Sequence, residues 1–168
     1  MDHSGSLPHI IETIKPEKVF TSTMGQKIMQ SHFHYKDWPV EAVKSGDTIS
    51  LGSRGVHFLE TRMVHWPDSM FSYIPQEKLL ISSDGFGLHW ATSQRFADQL
   101  DQSELMRHAA KYYANILLLY SPLIQKLLAT VSQMKLDIDT IAPDHGPIWR
   151  EPGRIINAYD CWSRQEAW

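Results

Sequence analysis

Apolar and polar positions along the chain follow two different rhythms, and the change falls near residue 103. Before it, short apolar runs are punctuated by glycine and proline. Residues 48–51 and 56–61 flank Gly52-Ser53-Arg54-Gly55 and predict a hairpin, with Val56, Phe58 and His57 divided between its two faces. Residues 70–74 and 78–82 predict a second strand pair about Pro75-Gln76-Glu77. Residues 18–22 read as a buried strand and residues 140–142 as a last short one. Ser6 is placed to cap a helix over 8–14, with Pro8 in the first turn, where N–H groups are spare. The spacing of Met24, Ile28, Met29 and Phe33 predicts a helix over 24–34 with that stripe in the core. From Ser103 onward the helical period dominates, broken at Ser121-Pro122, and a closing helix is expected over 152–163.

Length and composition narrow the class. A chain of 168 residues with 42% apolar content buries a single core. There is no internal repeat and no low-complexity linker. A net charge of -3, with basic residues scattered rather than clustered, argues against a nucleic-acid partner. Cys161 is the only cysteine, so the chain forms no internal disulfide and no iron–sulfur cluster, and a reducing, cytoplasmic location is expected. The longest unbroken apolar run, Ile116 to Tyr120, falls well short of the roughly 18 to 20 residues of a membrane span, so no membrane partner is expected. Met1 is followed at once by acid, histidine and glycine, which is not a signal peptide.

The chemistry lies where apolar segments run into turns. Asp2-His3 opens the chain. His65 lies in His65-Trp66-Pro67-Asp68, Asp84 in Ser83-Asp84-Gly85-Phe86-Gly87, and His145 in Asp144-His145-Gly146-Pro147. Strand-to-loop junctions of this kind project side chains into a cleft. Imidazole and carboxylate without thiolate suit iron, zinc or manganese. His9, His32, His34, His57 and His108 lack such a context and read as ordinary surface or core-edge residues; His89, five residues after Asp84, is placed for a supporting role.

Five blocks in order resemble the flavodiiron proteins: residues 2–8, 65–70, 83–87, Lys111-Tyr112-Tyr113-Ala114-Asn115-Ile116, and 141–149, so that the resemblance runs from the first residue to about Trp162. It implies an α/β (α+β) fold, a partial metallo-β-lactamase-like αββα sandwich. Residues 1–168 would form the C-terminal portion of that domain, truncated at its N-terminus and without a flavodoxin domain.

The family's ligand motif is His-x-Glu-x-Asp-His, then a distant His, a bridging Asp and a final His. By resemblance Asp2 and His3 are the last two ligands of that motif, Asp84 is the bridge and His145 the terminal ligand. Together they hold one iron, and His65 serves the other. The implied cofactors are iron, with zinc as a possible occupant, and FMN carried only by another domain or chain. Trp66 and Trp149 are candidates for the flavin-facing side, with ordinary aromatic packing as the alternative.

The resemblance further implies reduction of O2 to water or of NO to N2O, a flavodoxin-like domain or electron-donor protein as partner, and a homo-oligomer. A hydrolase of the wider metallo-β-lactamase superfamily and a non-catalytic metal-binding module remain open at this point. Missing strands would leave the apolar segments at Val19-Phe20, Val56 to Phe58 and Leu79 to Ile81 exposed and prone to association.

Overall fold

The computed structural model describes residues 3–166. The predicted hairpin is present as β3 (Thr48–Ser50) and β4 (Gly55–Glu60), with Ile49 opposite Val56. The second pair is β5 (Met70–Ile74) and β6 (Leu79–Ile81), joined by a short 3-10 turn over Pro75–Glu77. With β7 (Thr140–Ala142) they form a five-stranded sheet in the order β3-β4-β5-β6-β7. Neighbours from β3 to β6 are antiparallel, whereas β7 runs parallel to β6. Strands β4, β6 and β7 therefore all point the same way, and the loops that leave their C-terminal ends gather at one edge of the sheet.

The two-residue period of the strands sorts side chains between two cores. On one face Phe71, Tyr73, Leu80 and Ile141 meet the helices α3 (Gln102–Tyr112), α4 (Ser121–Gln133) and α5 (Gly153–Ser163), whose Leu105, Ala109, Ile124, Ile155 and Ala158 complete the main core. On the other face Val56 and Phe58 pack with Val43 and Phe20, the Phe20 and Phe58 rings 6.3 Å apart. Val43 and Phe20 come from a second, parallel sheet of β1 (Val19–Ser22) and β2 (Val40–Val43), and α2 (Thr23–Phe33) lies against both of its strands. Helix, sheet, sheet, helix is the αββα order expected from the sequence.

Several expectations are corrected. The wall over Val56 and Phe58 is not open, because β1 and β2 cover it. Strand β1 is half-buried rather than buried, with only Ser22 fully enclosed. On α2 only Gly25 is buried and Ile28 is exposed, so its apolar stripe lies outside the main core. Gly25 is what brings α2 close, since a Cβ there would stand 2.2 Å from Thr21 Oγ1. Helix α1 (Leu7–Ile14) begins after Ser6 as expected, but the Ser6 side chain makes no capping hydrogen bond.

Pro122 lies in the first turn of α4, where it starts a helix instead of kinking one. The backbone before it runs through a π-helical turn over Tyr113–Leu117. The helical stretch Gln102–Gln133 as a whole, 32 residues, is long and apolar enough to cross a membrane by length and composition. A count of unbroken apolar residues does not reveal this. Its inner face, including Leu105, Ala109, Tyr113 and Leu117, is buried in the main core.

Tyr159 stands at the centre of that core, 2% exposed, with its ring 4.8 Å from Phe86 and 5.1 Å from Tyr113. Its hydroxyl makes no hydrogen bond of normal geometry among the described residues; the nearby Phe86 carbonyl already accepts from Trp149 Nε1. Burial pushes the Tyr159 phenol well above its ordinary range, with Tyr112, Tyr113 and Asp84 adding to the effect. An acid whose folded pKa is raised loses stability as pH rises past its unfolded value, about 10, because the unfolded chain then releases the proton first. Tyr159→Phe is expected to leave stability at pH 7 unchanged or raised by up to about 1 kcal/mol, and to flatten the alkaline decline. Urea unfolding at pH 7 and pH 11 measures both, and a loss above about 2 kcal/mol at pH 7 would show that the hydroxyl has a partner.

Gly146, at φ +87, presses on Leu88: a Cβ would lie 2.8 Å from the Leu88 carbonyl oxygen and 2.9 Å from its Cγ. Gly146→Ala is expected to cost about 2 to 3 kcal/mol, combining left-handed strain with a backbone clash. The same unfolding measurement checks it. An effect below about 0.5 kcal/mol would mean the loop relaxes freely.

Candidate metal centre

The sheet edge defined by the C-terminal ends of β4, β6 and β7 carries the sequence's metal-ligand candidates. His65 lies in the loop after β4. That loop is pinned by Thr61 N–H donating to the Ser69 carbonyl and by Trp66 N–H donating to Ser69 Oγ. The hydroxyl of Ser22, at the end of β1, donates to the Asp68 carbonyl and ties the loop to the smaller sheet.

Asp84 lies in the turn after β6. Ser82 Oγ donates to the Gly85 carbonyl at 2.6 Å, Gly85 N–H donates back to the Ser82 carbonyl, and Ser83 and Phe86 take left-handed backbone conformations. His145 follows β7, and its carbonyl accepts from Leu88 N–H. Asp144 N–H donates to the Ser83 carbonyl at 2.8 Å, so the β6 and β7 loops are tied to each other. His3 arrives from the turn before α1, far from the others in sequence.

Asp84 is the centre of the cluster. It is 5% exposed, and its two oxygens face different imidazoles. Oδ1 stands 3.2 Å from His3 Nε2 and 3.4 Å from His145 Nε2, while Oδ2 stands 3.2 Å from His65 Nε2. His3 Nε2 and His145 Nε2 are 3.0 Å apart. Donor atoms of His3, Asp84 and His145 all lie within 4.8 Å of one another.

These separations fit a metal ion. Two donors bound about 2.1 Å from one ion stand about 3.0 Å apart in cis octahedral geometry and about 3.4 Å apart in a tetrahedron. The donor set of neutral imidazoles and one carboxylate, with no thiolate, suits iron among the metals that imidazole accepts.

Four of the five predicted ligands thus converge; Asp2 lies outside the described residues. One contributor has no place in the sequence reading. Asp144 Oδ2 lies 2.9 Å from His3 Nδ1, which fixes the His3 ring and presents Nε2 towards Asp84. Its signal was its position beside His145, legible only once His3 is known to fold back onto that loop. His89 lies beside the cluster, its ring perpendicular to that of His145 at 5.1 Å and to that of Tyr112 at 4.9 Å.

Trp66 is 60% exposed beside His65. Trp149 does not face outward: it is 2% exposed in the main core, and its indole N–H donates to the Phe86 carbonyl. Its flavin-facing expectation is therefore corrected to the packing alternative. His57 is engaged with Thr48, His32 lies edge-on to Phe33 and His108 stacks on Trp90, all outside the cluster.

Comparison with known proteins bears on what this edge is. Residues 2–146 match the model of the ODP family beta lactamase. The chain is 53% identical over 150 residues to a rubredoxin-oxygen oxidoreductase of Megalodesulfovibrio gigas, covering 89% of this chain and 37% of the relative. It is 47% identical over 163 residues to a nitric oxide reductase of Moorella thermoacetica, covering 96% and 41%. The solved structure of rubredoxin oxygen:oxidoreductase from the anaerobe Desulfovibrio gigas superposes with a TM-score of 0.94 at 48% identity, over 96% of this chain and 41% of that one. The chain spans about 40% of the length of these relatives. With the family model matched over most of its length and the fold reproduced, the chain belongs to the ODP family of β-lactamase-like domains, the metallo-β-lactamase-like part of the flavodiiron proteins.

Proposed function

We propose that this chain supplies the iron-binding side chains of a flavodiiron oxidoreductase that reduces O2 to water or couples two NO molecules to N2O with electrons from FMN. The observation that carries this reading is the division of Asp84, one oxygen toward His3 and His145 and the other toward His65, which is the arrangement of a carboxylate shared by two metal positions. Iron held by these residues would, when bound, supply the electrons for reducing a small diatomic substrate.

The chain's own residues do the rest. His3 and His145 would bind a metal on one side of Asp84 and His65 on the other; Asp2, a ligand by resemblance alone, lies outside the described residues. Asp144 orients His3 through Nδ1. Neutral imidazoles limit the negative charge that the site gathers and so favour the reduced metal. Trp66, exposed beside His65, offers an aromatic surface to the electron donor.

The FMN belongs in this reading to a flavodoxin-like domain or donor protein outside these residues, presented by another subunit of a homo-oligomer. The single cysteine supports a reducing, cytoplasmic setting. Relatives that share this fold carry both oxygen-reducing and nitric oxide-reducing names, so the substrate stays at the level of small diatomic oxidants.

The donors are unequal on the two sides of Asp84, and metal content tests this directly. Anaerobic reconstitution with ferrous iron followed by desalting and elemental analysis is expected to retain about one tightly held iron per chain, because a position with one imidazole and a shared carboxylate is weak. Asp84→Ala should abolish retention, whereas His65→Ala should keep it, with circular dichroism confirming that both variants fold. Retention by Asp84→Ala would overturn the assignment of Asp84 as the shared ligand, and two tightly retained irons would overturn the inequality of the two sides.

Asp144→Asn should weaken iron binding by about 10 to 100-fold through a misoriented His3, measured by competition with a chelator. An unchanged affinity would remove Asp144 from the centre and leave the other ligands in place.

A further inference from the structure

The helix side of the molecule carries a groove of about 730 Å³ on the far side of the main core from β1 and β2. Its walls are α4, the segment that follows α4, and α5. Its floor reaches Leu80 and Phe86, which are 2% and 3% exposed, and its sides are Leu128, Leu136, Ile138 and Ile156.

Charges are confined to the rim and are unevenly satisfied. Arg164 is held by Asp160 and by Glu166. Lys135 makes no ion pair among the described residues, and the two carboxylates that follow it, Asp137 and Asp139, are engaged by Lys78. A mostly apolar groove of this size lies within the range of small-molecule sites, about 300 to 1,000 Å³, and Lys135 is the cation in its lining that has no ion-pair partner among the described residues.

We propose that this groove binds a single-chain carboxylate amphiphile, a free fatty acid. The acyl chain lies along Leu128, Ile138 and Ile156 toward Phe86, and the carboxylate pairs with Lys135. Charge complementarity selects the anion: a cationic amphiphile of equal length gains the same apolar burial but meets an unpaired ammonium.

The site is separate from the metal cluster and stands whether or not the oxidoreductase reading holds. It touches that cluster only through Phe86, two residues beyond Asp84.

Isothermal titration of the 168-residue chain with dodecanoate, below the concentration at which it forms micelles, tests the proposal. Saturable binding at one site per chain is expected. Shortening the ligand to decanoate, which removes two methylenes, should weaken it by roughly fifteenfold, since each buried methylene contributes about a fourfold factor. Dodecyltrimethylammonium should bind the unaltered chain at least about tenfold more weakly than dodecanoate. Lys135→Glu, a surface change, should weaken dodecanoate by a similar factor while leaving the cationic ligand unaffected or tighter. Ala129→Trp, which fills the groove from α4, should remove binding of both.

Absence of saturable binding to the unaltered chain overturns the site. Equal affinity for the anionic and cationic ligands, or an unchanged affinity in Lys135→Glu, overturns the carboxylate assignment. Since the ligand comparison uses the unaltered chain, misfolding of a variant does not rescue the proposal.

Discussion

The buried carboxylate of Asp84 is the constraint around which this part of the molecule is organised. An anion withdrawn from water costs several kcal/mol unless charge and hydrogen-bonding partners replace its hydration. Here three imidazoles perform that replacement, and they come from three places distant in sequence: the N-terminal turn, the loop after β4 and the loop after β7. Such a meeting requires strands that leave the sheet in one direction. The parallel addition of β7 to β6, in a sheet otherwise antiparallel, satisfies that requirement for His145. An antiparallel β7 would carry His145 to the opposite edge, and Asp84 would then face His3 and His65 alone.

Holding the carboxylate in place falls to the core as much as to the cluster. The turn that carries Asp84 is closed by Ser82 and Gly85, and the next residue, Phe86, gives its carbonyl to Trp149 and its ring to Tyr159. Gly85 lets the turn close over Phe71, where a Cβ would lie 2.9 Å from that ring. Trp149 therefore influences the centre from inside, as a buried donor fixing a strained loop. The close approach at Gly146 acts similarly on the loop of His145, so positions with no ligand atom of their own set the ligand geometry.

What the sequence made legible follows from which signals are local. Both strand pairs were readable because alternation and turn residues lie within a dozen positions of one another, and the same is true of the loops around Asp84 and His145. Strand β2 was not readable: Val40 to Val43 is four residues long and pairs in parallel with β1 across an intervening helix, so no hairpin turn announces it. The stripe on α2 had the period of a core helix, yet it packs on a two-stranded sheet too small to bury it. The role of Asp144 depends on His3 returning across the whole chain, a contact that no window of sequence contains. Trp149 lies in a block that resembles the family's site, which leaves both a flavin-facing position and ordinary packing open; the structure decides for packing, because an indole with one N–H donor is satisfied by a single buried carbonyl.

The inequality between the two sides of Asp84 says what kind of donor the poorer side needs. Two divalent ions sharing one carboxylate sit about 3.5 to 4 Å apart and repel strongly, and the single negative charge of the bridge offsets only part of that repulsion. Adding another neutral imidazole beside His65 would improve coordination but not charge. A carboxylate would do both, lowering the repulsion while filling a position. The side facing His3 and His145 has Asp144 nearby, bonded to His3 and contributing negative charge to that side of the cluster. No carboxylate other than Asp84 pairs with His65 among the described residues. On physical grounds, then, a second ion on the His65 side would gain more from a carboxylate than from another imidazole.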